Sequence, residues 1–368
     1  MLKMSSSARF GILLDLDGAG AHPAAWRVSR AEPAELLSAR WIADATRDAE
    51  RAGFTGVTFE DHPLPVETPT AVTARIDATL RASFTAPLTS AIGLVPVVQA
   101  LYNEPFHVAT QLASLDTASD GRAGAILGRD GDARIAARYG RTPLAPDQTA
   151  EELADVVEAI RRVWDTWEDD AVIRDARTGR YFDRAKVHYA DFEGHRFSIK
   201  GPAILPRSPQ GQLPLFAIDS SDGGGVAAPD ADVLLVELEV ALDRAGRTGA
   251  ERVAELDAHI PWASTGRRRY VGDAAGLLAL LTELAATTQG VRILPAVLDA
   301  DLDEIGRAVL PELRRAGVFE SPQVGATLRE TLGLAPAENR YATAASTPAA
   351  STPAAQTTTT APTQEATR

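Results

Sequence analysis

Cysteine is absent from the 368-residue sequence, which excludes disulfides, thiolate nucleophiles and Cys-ligated zinc. The six histidines, His22, His62, His107, His188, His195 and His259, are scattered without paired spacing. Zinc hydrolysis on a barrel needs clustered ligands at strand ends, so no metal site is expected. No run approaches the roughly 18–20 uninterrupted apolar residues of a membrane helix. The opening MLKMSSSARFGILLDLD has no apolar stretch followed by a small-residue cleavage site, so no signal peptide is expected and a cytoplasmic location is the default. Basic charge is also short, with 37 Lys and Arg against 50 Asp and Glu and a formal net charge of −13. Such a surface repels phosphate backbones and argues against nucleic-acid binding. The one basic cluster, Arg267-Arg268-Arg269, reads as a solvated loop.

What is present is a full globular composition, 45% apolar and 24% charged. From Ala342 the chain turns to ATAASTPAASTPAAQTTTTAPTQEATR, which cannot bury enough apolar area to offset its ordering entropy, so residues 341–368 are expected to be a disordered tail. The remainder, 1–340, suits one α/β barrel. Apolar runs at Phe10–Leu14, Val57–Phe59, Leu88–Val98, Ala123–Leu127, Pro214–Ile218, Asp232–Val236 and Val291–Leu294 read as strands, with a weaker one around Leu256–Ile260. Helical spacing separates them. Leu37, Trp41, Ala45, Ala49 and Ala52 end at Gly53, and Leu153, Val156, Val157, Ile160, Val163, Trp164 and Trp167 share one face. Both tryptophans are expected in the core. About eight strands alternating with helices argue for a (β/α)₈ TIM barrel. Between Asp169 and Gln212 the periodicity fails for about forty residues, a length that in a compact domain marks a functional loop or lid. It is expected at the carboxyl end of the barrel, where active sites form.

The same stretch, WDTWEDDAVIRDARTGRYFDRAKVHYADFEGHRFSIKGPAILPRSPQG, resembles the long insertion of the nitrilotriacetate monooxygenase component A and sulfone monooxygenase group, within the bacterial luciferase-like superfamily. LYNEPFHVATQLASLDTASDGRAG, AHPAAWR and LPELRRAGVFESPQVGATLRETLGL are similar to further motifs of that group. The resemblance implies a two-component monooxygenase. A separate reductase supplies reduced FMN, and the barrel protein uses it with O₂ to oxidise a small organic substrate. Dimers are common in that superfamily, so the resemblance leaves room for a homo-oligomer.

Candidate site residues follow from it. His22 closes the first strand and matches a family histidine that could hydrogen-bond the reacting flavin or move a proton, the alternative being a loop histidine bonding local backbone. Glu60, in the strand-end run FEDH, matches an acidic residue near the flavin ring, or else caps the strand. Tyr102 and His107, in YNEPFH, line the pocket, or else His107 packs on the helix face. Val97 lies at the cofactor end of the third strand. Ser220, Ser221 and Gly224, in SSDGGG after the fifth strand, fall where the family binds the flavin phosphate, which glycine-rich backbone can cradle.

Several flavin positions depart from the family pattern. Val97-Val98-Gln99-Ala100-Leu101 stands where small hydroxyl residues are usual, and Ala125–Asp130 stands where a tryptophan-asparagine pair and then threonine-serine are typical. Ala150 stands for a tyrosine, and the residues near Ala217 and Asp219 replace a glutamine and glycine. Arg129 could compensate, because a guanidinium suits phosphate. The segment between the sixth strand and residue 290 is shorter than the family norm, which leaves the second half of the barrel trimmed. Three readings follow: an FMN monooxygenase, an enzyme using the deazaflavin F420, or a non-catalytic barrel serving as a partner subunit or binding protein.

Overall fold

The computed structural model describes residues 9–64, 74–128, 130–219 and 231–342. Strands β1 (Gly11–Asp15), β2 (Gly56–Phe59), β3 (Gly93–Gln99) and β4 (Ala125–Gly128) alternate with helices α1 (Ala39–Ala52), α2 (Ala78–Thr85) and α3 (Pro105–Ala118). After β4 come α4 (Ala133–Arg138) and α5 (Pro146–Asp165). Two small hairpins follow, β5 (Val172–Asp175) with β6 (Arg180–Phe182), and β7 (Phe192–Glu193) with β8 (Ser198–Ile199). Then come β9 (Leu215–Asp219), β10 (Val233–Leu242), α6 (Gly249–Asp257), β11 (Arg268–Gly272), α7 (Ala274–Thr287) and β12 (Gly290–Pro295). The described chain finishes with α8 (Leu298–Glu304), a π-helical turn at Ile305–Val309, α9 (Leu310–Arg315) and α10 (Leu328–Thr331). Among the described residues no helix is long and apolar enough to cross a membrane.

The strands are parallel and run in the order β1-β2-β3-β4-β9-β10-β12 back to β1, so seven of them close the barrel. This is the α/β barrel expected, closed by seven strands. The eighth strand lies elsewhere than the sequence suggests. Leu256 is not in a strand but buried in α6, whose start is fixed by a capping box of Thr248 and Glu251. The missing strand is β11, inside the arginine run read as a loop. It pairs only with β10, and its largely exposed residues carry no apolar run to betray it.

Strand β10 is ten residues long and outreaches the ring. On one edge it pairs with β12; on the other, β9 pairs as far as Val236 and β11 takes over from Leu238. Glu237 therefore lies between the last described pairing with β9 and the first with β11.

Inside, inward residues form two unlike walls. Leu13, Val95, Val97, Ile126, Phe216, Val233 and Leu235 make an apolar lower layer. At the floor, β1, β2, β3 and β12 begin with glycine, and Leu328 and Leu332 of the α10 segment enter from below. A Cβ on Gly93 would stand 2.8 Å from a Leu328 methyl, and one on Gly11 3.0 Å from a Leu332 methyl. Outside, α1 ends at Gly53 with φ 88°, the left-handed stop that glycine permits.

The long insertion is built otherwise than expected. It carries two hairpins, and its ends lie at the amino end of the barrel, not the carboxyl end. The reason is topological: one strand followed by one returning helix brings the chain back to the end where it started. Gln210 fastens the return, donating through Nε2 to Asp116 Oδ1 (2.6 Å) and to the Ala123 carbonyl (2.7 Å). From there the insertion lies along α5, with Arg196 paired to Glu151 (2.9 Å) and Glu152 (3.2 Å). Trp164 and Trp167 are buried as expected, their indole N–H groups donating to the carbonyls of Ala109 and Ala203, each at 2.9 Å.

Candidate functional site

The upper half of the barrel interior is charged on one side. Arg292 of β12, 2% exposed, lies in an otherwise apolar strand. Its guanidinium reaches Asp15 (2.7 Å), Glu60 (2.7 Å) and Glu237 (2.8 Å), from β1, the end of β2 and β10. Thr58 Oγ1 accepts from its Nε at 3.0 Å and donates to Asp15 at 2.8 Å. Burial alone would lower the arginine pKa. The three facing carboxylates outweigh it and hold the guanidinium well above its ordinary value. A cation so placed exists to orient its partners, since a buried ion pair contributes little net stability.

Above this cluster the mouth opens as a cavity of about 470 Å³, lined among others by Asp15, Asp17, Glu60, His62, Arg75 and Arg267. Arg75 binds Asp17 with two hydrogen bonds of 3.1 and 2.6 Å, and Arg81 adds a third at 3.3 Å while also donating to the Glu60 carbonyl. The chain crosses this rim at Gly20, φ 131°, where a Cβ would stand 2.5 Å from the Ala296 carbonyl oxygen. On the opposite wall Gln99 continues the inward alternation of Val95 and Val97. It is 8% exposed, and its Oε1 has no hydrogen-bond partner. A buried amide oxygen left unpaired costs about 1–3 kcal/mol, so it marks a place where a donor is missing.

The expected site residues are distributed as follows. Glu60 sits at the mouth, held by Arg292. Val97 lies below it, buried in the apolar wall beside Ile126. His22 is 1% exposed and lies under the rim. Its Nδ1 accepts from the Ala24 N–H at 3.1 Å, and Nε2 faces Asp257 at 3.2 Å, so both ring nitrogens are engaged. Trp262 packs 5.2 Å away, with the Arg269 guanidinium 3.9 Å over its indole. Burial lowers the His22 pKa despite Asp257. The Tyr102 hydroxyl donates to the Gly131 carbonyl (3.0 Å) and accepts from the Leu144 N–H (3.2 Å), tying two loops together. His107 is exposed in the first turn of α3, where Glu104 accepts its backbone N–H at 2.6 Å. His22, Tyr102 and His107 thus bond to separate parts of the chain, and no hydrogen bond or ring contact among the described residues joins them. Arg129, Ser220, Ser221 and Gly224 lie outside the described residues.

The sequence reading missed Arg292, Asp15 and Glu237. The signals were there: a lone arginine inside GVRILP, and acids two apart in VELEV, which places Glu237 and Glu239 on one face of a strand.

The fold is a parallel α/β barrel closed by seven strands. A family model described as luciferase-like monooxygenase matches residues 19–260, and the chain belongs to that family. It is 33% identical over 238 residues to the N-acetyl-S-(2-succino)cysteine monooxygenase of Bacillus subtilis (strain 168), covering 64% of this chain and 53% of that protein. It is 31% identical over 250 residues to the nitrilotriacetate monooxygenase component A of Aminobacter aminovorans, covering 61% and 53%. The chain therefore spans about half the length of these two relatives. Against a subunit of the pristinamycin IIA synthase of Streptomyces pristinaespiralis, identity is 30% over 301 residues, covering 82% of this chain and 91% of that one. The solved long-chain alkane monooxygenase LadA superposes with a TM-score of 0.76 at 16% identity, covering 90% of this chain and 96% of that chain.

Proposed function

We propose that this chain is the oxygenase component of a flavin-dependent monooxygenase, which takes reduced FMN from a separate reductase and oxidises a small organic substrate with O₂. The observation that carries the reading is the unpartnered Oε1 of Gln99 at the mouth of a luciferase-like barrel. A flavin ring edge offers an imide N–H between two carbonyls, the donor that this acceptor lacks. Bound reduced flavin supplies the reactivity toward O₂. The chain's own residues do the rest. Gln99 accepts from the imide, Val97 gives the ring an apolar wall, and Arg292 fixes the Glu60 carboxylate against the cavity. The closely packed floor of leucines excludes water from below.

Anaerobic titration with reduced FMN tests this. Micromolar binding is expected, weakened about tenfold in Gln99→Leu, the loss of one hydrogen bond. Absence of binding up to about a millimolar in a folded protein would sink it. Binding of reduced F420 without FMN would replace FMN by the deazaflavin. A second reading is favoured by the match over 91% of a relative named as part of a synthase. It makes the chain a non-catalytic partner of another barrel, and the outcome that supports it is binding of neither flavin.

A further inference from the structure

We infer that the turn joining β7 to β8 is a proton-operated latch: with its ring protonated, His195 fastens the long insertion to the start of α5, and the neutral ring lets go. The geometry reads the proton. His195 Nδ1 lies 2.8 Å from Asp155 Oδ2, and Nε2 lies 3.2 Å from Glu151 Oε1. A neutral imidazole carries one N–H and one lone pair, so it donates to only one of these carboxylates and turns its lone pair on the other. Only the imidazolium donates to both. The side chain is 58% exposed, so the ring exchanges protons freely with solvent.

The turn is shaped for this grip. The His195 backbone N–H donates to the same Asp155 Oδ2 at 2.7 Å. Gly194 permits the approach, since a Cβ there would stand 2.7 Å from that oxygen. Its own N–H closes the turn on the Phe197 carbonyl at 3.0 Å. Beside His195, Arg196 reaches Glu151 (2.9 Å) and Glu152 (3.2 Å), so two cations of the turn meet three carboxylates of α5. Once His195 is neutral, Arg196 alone faces the three, and Glu151 and Asp155 are like charges one helical turn apart. Among the described residues, the charges acting on His195 are Asp155 and Glu151, which favour its proton, and Arg196, which opposes it. The hydrogen bond to Asp155 contributes most, and together they raise the pKa above its ordinary 6.5. The latch therefore holds fully below 6.5 and is lost as pH rises through the raised value. Its position gives it reach. Helix α5 starts at the carboxyl end of the barrel, where Tyr102 ties the segment before it to the loop after β4. The insertion has its own ends at the amino end, so a proton on His195 joins it to the opposite end of the barrel.

The test uses the full chain without flavin, so its failure is distinct from a failed FMN titration. The imidazoles are followed by NMR in histidine-labelled protein, the His195 signal being the one of six that is missing from His195→Gln. We expect it to titrate above 6.5 in the parent and at lower pH in Asp155→Asn. Amide hydrogen exchange over residues 194–197, corrected for the intrinsic pH dependence of exchange, reads the latch itself. Between about pH 6 and about pH 9, protection should fall at least about threefold in the parent and stay flat in His195→Gln. His195 is exposed, so its replacement does not threaten folding. A ring that titrates at or below 6.5, protection independent of pH in the parent, or an equal fall in His195→Gln would each overturn the proposal.

Discussion

Arg292 shows how one side chain organises the interior. Three carboxylates from three strands converge on it, so removing the cation leaves like charges facing each other out of water. We expect Arg292→Met to cost about 3–5 kcal/mol in urea unfolding at neutral pH. A deficit below about 1 kcal/mol would contradict this role. His22 works with the opposite sign to a salt-bridged histidine. Burial lowers its folded pKa below the ordinary value of 6.5, so the unfolded chain binds more protons there. Its contribution is fully present above that ordinary value and is lost as pH falls through the folded pKa. His22→Gln should flatten this part of the stability profile below pH 6.5. A variant profile parallel to the parent would show that another group titrates.

At the scale of elements, the barrel floor is a joint between strand starts and the far end of the chain. Leu328→Ala or Leu332→Ala should each cost about 2–5 kcal/mol. Gly93→Ala should cost about 1–3 kcal/mol, because its methyl meets Leu328. Combining Gly93→Ala with Leu328→Ala should cost less than the sum of the two, since the smaller residue vacates the space; strict additivity would mean that they do not touch. The insertion belongs to this scale too. Its return strap depends on Asp116 at the end of α3, buried and held by Gln210 through two hydrogen bonds. That partnership links segments 94 residues apart, and no local pattern announces it.

For the whole molecule, the closing contacts come from residues 339–341. Asn339, 4% exposed, donates to the carbonyls of Asp165 (3.0 Å) and Trp167 (2.8 Å). Arg340 pairs with Asp165 and Glu158, and the Tyr341 ring stacks 4.0 Å from His188 of the insertion. These contacts fasten the end of the described chain to α5 and to the insertion together. A chain stopped after Ala342 keeps them all, and the composition beyond it offers no apolar surface to bury, so its stability should match the full chain within about 0.5 kcal/mol. A chain stopped after Pro336 should lose about 2–4 kcal/mol, from two buried hydrogen bonds and the charge pairs. Equal urea midpoints for the two truncations would remove this fastening role.

Seven barrel strands, the core face of α5, the glycine stop of α1 and the family were legible in the sequence. Each is written in local periodicity, in turn chemistry or in contiguous motifs such as YNEPFH. Arg292 looked like an isolated charge, and Arg268 to Gly272 looked like a loop, because an ion pair and a one-sided strand are defined by their partners. Which end of the barrel carries the insertion and which acids meet inside were decided only by tertiary structure. The physical reason is that closing the ring brings β1 beside β12, so that Asp15 and Arg292, 277 residues apart, share one hydrogen bond. Sequence spacing cannot express such a meeting.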